Sequence, residues 1–288
     1  MKSHPPNQEL RVARVTGLDD YLRCVEIEKQ VWGYHDLADV APLSLLSIVN
    51  RTGGLLLGAY AKNAGLIGFV FGLLAEHRGR FIHHSHMLAV LPAYRNRGVG
   101  RRLKQAQRRY VRRQGLDLIT WTFDPLQALN AHFGINKLGA TVARYEVNVY
   151  GASSSPLHAG LPTDRFLAEW LVADEALRTR RRRKPPRARE EFQSWPLINE
   201  TTLERSGWRR TAVPQLGLRQ AHLRFEISAN IEALKQADLA LALDWQEKVR
   251  RTFTTYFRRG YRVTDFQIDG HGDNARAFYV LTMGEPSR

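Results

Sequence analysis

The segment from His84 to Lys104, HSHMLAVLPAYRNRGVGRRLK, constrains this 288-residue chain more than any other. An apolar run stops at Pro92, a short polar loop follows, and glycines 98 and 100 open a strongly basic stretch that reads as a helix to about Gln114. Glycines there let a backbone approach a ligand closely and turn several N–H groups outward. The helix N-terminus adds unsatisfied donors and the positive end of its dipole. The result is a cradle for a diphosphate, with Arg95, Arg97, Arg101 and Arg102 around it. The same string also suits an ordinary strand–loop–helix connection with glycines for tight packing. Two nucleotide motifs are excluded: no Gly-Lys-Ser/Thr completes a P-loop, and Leu103 stands where a dinucleotide fingerprint needs its third glycine.

The flanking sequence alternates strand and helix patterns. Leu10 to Val15 reads as a strand, and a helix opens at Asp19 and Asp20 and runs to about Val31. A short helix follows over Leu43 to Asn50. Gly54 to Ala61 and Leu66 to Leu74 form a hairpin across Lys62–Gly65, and Phe81 to Leu91 is the third strand of the set. Leu116 to Phe123 is a strand, Gln127 to Leu138 a helix closed by Gly139, and Thr141 to Tyr150 a long strand. Gly151 to Pro156 (GASSSP) marks a composition break, which divides the chain into 1–150 and 151–288. Beyond it, Asp164 to Leu177 carries Phe166, Leu167, Trp170 and Leu171 at helical spacing. Ala221 to Ile227 reads as a strand, Ile231 to Phe257 as a long amphipathic helix broken once, and Tyr261–Ile268 with Ala275–Thr282 as a hairpin.

The net charge is +15, and residues 178–189 (RTRRRRKPPRAR) hold eight of the basic side chains without an acid, leaving +7 elsewhere. This run reads as a solvated loop, because no aromatic residue interleaves to stack on bases, and nucleic acid is not the expected partner. No window reaches the ~18 apolar residues of a membrane span, and the polar N-terminus lacks a secretory core. The single cysteine, Cys24, excludes an internal disulfide and fits a cytoplasmic protein; no Cys/His spacing suggests a metal site.

Leu88-x-Val90-x-Pro92-x-Tyr94-Arg95-x-x-Gly98-x-Gly100 resembles motif A of the GNAT (Gcn5-related N-acetyltransferase) superfamily, over roughly Leu10 to Tyr150. The resemblance implies an α/β fold, a mixed and mostly antiparallel central sheet flanked by helices, here followed by a C-terminal α+β region. It implies acetyl-CoA or another acyl-CoA as co-substrate, with the diphosphate on Asn96, Arg97, Gly98, Val99, Gly100 and Arg101. Arg95 adds charge, Leu88, Ala89 and Val90 offer backbone contacts to the pantetheine arm, and Asn130 is a further cofactor contact. The His-Ser-His-Met strand, the Asp124-Pro125-Leu126 turn and the Asn130…Leu138-Gly139-Ala140 helix are similar to a bacterial subgroup with a long C-terminal extension. One branch of that subgroup is associated with succinylation of D-amino acids from succinyl-CoA.

Acyl transfer to an amine requires a proton acceptor and a proton for the leaving thiolate. His84 and His86 stand two apart on one strand, so their side chains share a face, and an ordinary pKa near ~6.5 suits proton acceptance. The arylalkylamine acetyltransferases carry a similar His-x-His, and by that resemblance His84 and His86 are the candidate bases. Two hydrogen-bonded sheet histidines are the structural alternative; His83 faces the other way. Ile135 occupies the position where relatives place an acidic tyrosine, leaving Tyr145, Tyr150 or water for that role. Backbone N–H of Met87 or Leu88 is the oxyanion donor. Glu76, His77, Asp124, Asp164, Trp32 and Tyr34 are weaker contacts for an acceptor.

The sequence therefore points to an N-acyltransferase acting on a small amine or amino acid, with a homodimer interface as one use of the C-terminal half. The competing reading is a non-catalytic acyl-CoA sensor associated with regulation or nucleic acid.

Overall fold

The computed structural model describes residues 10–34, 36, 39–77, 79–151, 155–156, 160–172, 189–270, 272 and 275–284. Two compact units emerge. The first comprises Met1–Trp121, Ser153–Ala159 and Leu171–Asp174, and the second comprises Thr122–Ala152, Gly160–Trp170 and Glu175–Arg288.

In the first unit, β1 (Leu10–Arg14), β2 (Leu55–Ala61), β3 (Gly65–His77) and β4 (Arg80–Val90) pair antiparallel in sequence order. The fifth strand, β5 (Leu118–Phe123), joins β4 in parallel. Strand β2 and the first half of β3 are buried almost throughout, which explains their near-continuous apolar runs in place of clean alternation. Helix α1 (Leu18–Trp32) starts after Gly17 with Asp19 and Asp20 in its first turn and Lys29 in its last, charges that oppose the helix dipole. Cys24 and Ile27 of α1, Leu46 of α2 (Leu43–Ile48), and Val99 and Leu103 of α3 (Val99–Arg113) close over the sheet in one hydrophobic cluster with Phe69, Val70, Phe71 and Ala89.

The second unit holds α4 (Ala128–Ala131), which runs into a π-helical turn at His132–Leu138 ended by Gly139 in the left-handed region. The helix expected over Gln127–Leu138 is thus half α and half π, with Gly139 N–H reaching back five residues to the Gly134 carbonyl. Strands β6 (Thr141–Glu146) and β7 (Arg165–Leu171) pair antiparallel. In place of the helix predicted over Asp164–Leu177, of which 173–177 lie outside the described residues, 165–171 is a strand. Its residues are buried on both faces, so the apolar side chains lose their period of two and mimic helical spacing.

Further along come α5 (Arg189–Ser194) and the two-stranded pair β8 (Thr201–Leu203) and β9 (Arg209–Thr211). Strand β10 (His222–Ile227), helices α6 (Ile231–Ala237) and α7 (Leu239–Arg258), and strands β11 (Tyr261–Asp269) and β12 (Arg276–Met283) complete the unit. The break expected in the long helix falls at Asp238, whose side chain accepts from Leu241 N–H as the N-cap of α7. Strands β7, β6, β11, β12 and β10 lie side by side in that order. Apart from Arg189, which opens α5, the basic run lies outside the described residues. No helix among the described residues is long and apolar enough to cross a membrane.

Candidate active site

Two features of β4 build the site. The β3–β4 ladder pairs Phe71 with Met87 but Leu73 with His84, so three steps of β4 oppose two of β3 and the strand bulges at Ser85–His86. The β4–β5 ladder consists of His83–Ile119 and His84–Thr120 and then ends. Beyond His84 the two parallel strands part. Among the described residues, the edge of β4 from Met87 to Val90 then carries backbone groups with no sheet partner on the β5 side, while its other edge remains paired to β3 as far as Gly68. A free strand edge of this kind accepts an extended chain by main-chain hydrogen bonds.

The strand's C-terminal end leads through Pro92–Tyr94 to the glycine loop. Asn96 (φ 60°) and Gly98 (φ 77°) both take the left-handed region, and Gly98 is the N-cap of α3 without a side-chain cap on the helix donors. A Cβ built on Gly98 meets nothing within 4 Å, so the space over the first turn of α3 is open. Arg95 donates from Nε to the Val90 carbonyl at 3.1 Å, and Arg97 lies over the Tyr94 ring at 5.7 Å. Arg95, Asn96, Arg97, Gly98 and Arg101 are exposed, Gly100 is half-buried and Val99 anchors the helix in the core. Uncapped amides, open space and three arginines fit a diphosphate.

The histidines occupy the bulge. His84 and His86 have ring centroids 6.3 Å apart, with His84 Nδ1 3.0 Å from Thr120 Oγ1 and His86 edge-on to Phe71 at 5.8 Å. Burial, then the neighbouring His86 and Lys104, push the His84 pKa down to about 4. His86 is the most exposed of the three histidines, and partial loss of water around its ring lowers its pKa as well. Both rings are therefore neutral at pH 7 and able to take a proton. His83 turns to α3, fully buried, and accepts from Gln107 Nε2 at 3.1 Å. It stands against Gly72, where a Cβ would lie 2.2 Å from its Nε2.

Four residues that the sequence reading did not single out, Ser85, Lys104, Gln107 and Trp121, lie at or beside the bulge. Lys104 of α3 is 2% exposed and donates to Ser85 Oγ and to Gln107 Oε1, each at 2.9 Å. Its ammonium sits 4.4 Å from the centre of the Trp121 ring on β5. The sequence did carry a signal for it: Val99, Leu103, Lys104, Gln107 and Val111 share the buried face of α3, and two of these five are polar.

Other sequence candidates fall elsewhere. Glu76 closes the β3–β4 turn by accepting from Gly79 N–H, and Trp32, the last residue of α1, stacks on Tyr34 at 5.9 Å. Asn130 is exposed on α4 and belongs to the second unit. Tyr145 is unsuited to proton donation, because its hydroxyl is held by Asp164 at 2.5 Å and burial drives its pKa up. Tyr150 pairs with Thr122 Oγ1 at 3.0 Å, and Ile135 is buried in the π-helical turn. Asp124 holds its own turn through Leu126 N–H.

A bulged strand thus parts from its parallel neighbour beside a glycine-opened helix. Residues 54–134, from β2 into the π-helical turn, match the model of the acetyltransferase (GNAT) domain, the family that the motif around Gly98 and Gly100 resembles. Among solved structures, the chain is similar to the ribosomal-protein-S18-alanine N-acetyltransferase from Escherichia coli, at 14% identity over 57% of this chain and 95% of that one, with a TM-score of 0.45. It is similar also to an acetyltransferase of the GNAT family from Streptococcus pneumoniae, at 18% identity over 57% of this chain and 99% of that one, with a TM-score of 0.46. None of the curated proteins matches the sequence.

Proposed function

We propose that the chain is an acyl-CoA-dependent N-acyltransferase acting on the amine of a small molecule or amino acid. One observation carries this reading: the neutral His84–His86 pair stands where β4 and β5 part, and β4 leads directly to the open glycine loop. Acyl-CoA, when bound, supplies an acyl group activated as a thioester. The amides of Asn96 to Arg101 and the first turn of α3 receive its diphosphate, with Arg95, Arg97 and Arg101 balancing the charge. The free edge of Leu88, Ala89 and Val90 aligns the pantetheine amides, which places the thioester at the bulge. Backbone N–H of Met87 or Leu88 polarises the carbonyl. His86 takes the proton from the attacking amine, directly or through one water, and His84, anchored to Thr120, orients it. The assignment of Asn130 as a further donor contact rests on the sequence resemblance alone.

The test is thiol release from acetyl-CoA and succinyl-CoA against a panel of primary amines and amino acids. Amine-dependent release is expected, and His86→Ala should lower kcat by about 10²-fold or more while CoA affinity stays within about twofold. Tight CoA binding without amine-dependent release would overturn the reading in favour of an acyl-CoA sensor.

A further inference from the structure

The histidines account for the proton that leaves the amine, and the departing sulfur still needs one. The structure holds a second proton-bearing group at the same bulge, on the side of β4 that faces α3. Lys104 Nζ lies between the diverging strands, donating to Ser85 Oγ on β4 and resting over the Trp121 ring on β5. Because the Ser85 oxygen accepts from the ammonium, its own hydroxyl proton is directed away from Lys104. Gln107 holds the ammonium from below and ties the group to His83, so the arrangement is fixed on three elements.

We propose that Lys104, acting through the Ser85 hydroxyl, delivers the proton that the CoA sulfur takes as it leaves. The inference rests on the acyl-transfer reading given above. As the carbon–sulfur bond breaks, its electron pair stays on sulfur. The Ser85 hydroxyl proton passes to that sulfur, and a Lys104 N–H proton passes to the Ser85 oxygen. Lys104 is left as a neutral amine and recovers a proton from solvent, while the histidine pair returns to solvent the proton taken from the acceptor. The cycle closes with free thiol and amide. In this scheme Ser85 is the group that touches the sulfur, and Lys104 is the positioning residue that makes its proton available.

The surroundings suit the role. Burial lowers the Lys104 pKa to about 7, and the groups that face it are His83 and His84 from β4, Gln107 from α3 itself and the Trp121 ring from β5. Neither histidine is charged at neutral pH, so neither competes to keep the lysine deprotonated. An acid of this strength gives up its proton readily at pH 7.

The experiment compares the wild-type chain with Lys104→Met and Ser85→Ala, using acetyl-CoA and an acetyl ester of 4-nitrothiophenol as donors. The nitrothiophenolate is a weak base and leaves without acid assistance. With acetyl-CoA at saturating acceptor, wild-type kcat should fall as pH rises past about 7, the point at which Lys104 loses its proton. In Lys104→Met that fall should vanish and kcat should drop about 10²-fold, with CoA affinity by calorimetry within about twofold. The rate on the aryl thioester should stay within about twofold of wild type for both variants. An unchanged pH profile in Lys104→Met, or equal losses on both donors, would reduce Lys104 to a structural clamp and overturn the proposal. No turnover by the wild-type chain itself would instead sink the acyl-transfer reading, and this inference with it.

Discussion

Gly98 and Gly115 make a matched pair at the two ends of α3. Both have φ 77°, and a Cβ on either meets nothing within 4 Å. Alanine therefore brings the same cost to each, the left-handed strain of an L-residue, about 1–2 kcal/mol. That corresponds to a Tm lower by about 2–8 °C in either variant. The difference lies in what occupies the open space. At Gly98 it lies over the donors that receive the diphosphate, and displacing one charge-assisted hydrogen bond is worth about 1.5–3 kcal/mol. Gly98→Ala should thus weaken acetyl-CoA binding by about 10- to 150-fold, whereas Gly115→Ala should bind normally. Calorimetric titration of both variants, with melting curves alongside, measures the two effects separately. Equal affinities in the two variants, despite equal losses of Tm, would refute the assignment of the loop.

Two further predictions concern buried carboxylates. Glu28 is fully buried, accepts one bond from Ala41 N–H, and has its pKa pushed up to about 7 by burial. The native state therefore holds a proton that the unfolded chain releases from about pH 4.5 upward, so stability should decline as pH rises from there through 7. Glu28→Gln should flatten that decline and gain on the order of 2–3 kcal/mol above pH 7 in urea unfolding, relative to wild type; parallel pH curves would refute it. In the second unit, the Asp164 carboxylate takes donors from Tyr145, Asn148 N–H and both faces of the Arg250 fork. Asp164→Asn takes the counter-charge from the partly exposed Arg250 and leaves buried donors poorly paired, which should cost about 1–3 kcal/mol, a loss of Tm that a scan would detect.

The fold was most legible where local signals agreed. Pro92, Gly98 and Gly100 bracket the loop, Gly139 ends the helix before β6, and the long helix is broken once, at Asp238. Legibility failed where burial was two-sided: Phe166, Leu167 and Trp170 pack on both faces of β7, and their spacing then carries no strand period. The site was half visible. The glycine loop and the histidine pair are local in sequence, but the bulge and the parting of β4 from β5 depend on partners far along the chain. Lys104 and Ser85 are joined only by folding, and a lysine on a basic helix reads as solvated until its neighbours on the apolar stripe are taken into account.

The proposed reaction depends on where a CoA molecule lies, which a crystal structure of the chain with CoA bound would reveal. It should show the diphosphate on the amides of residues 96–101, the pantetheine along the free edge of β4, and the sulfur within hydrogen-bond or one-water reach of both His86 and Ser85. A diphosphate bound away from that loop, or a sulfur out of reach of the β4 bulge, would contradict the proposed reaction.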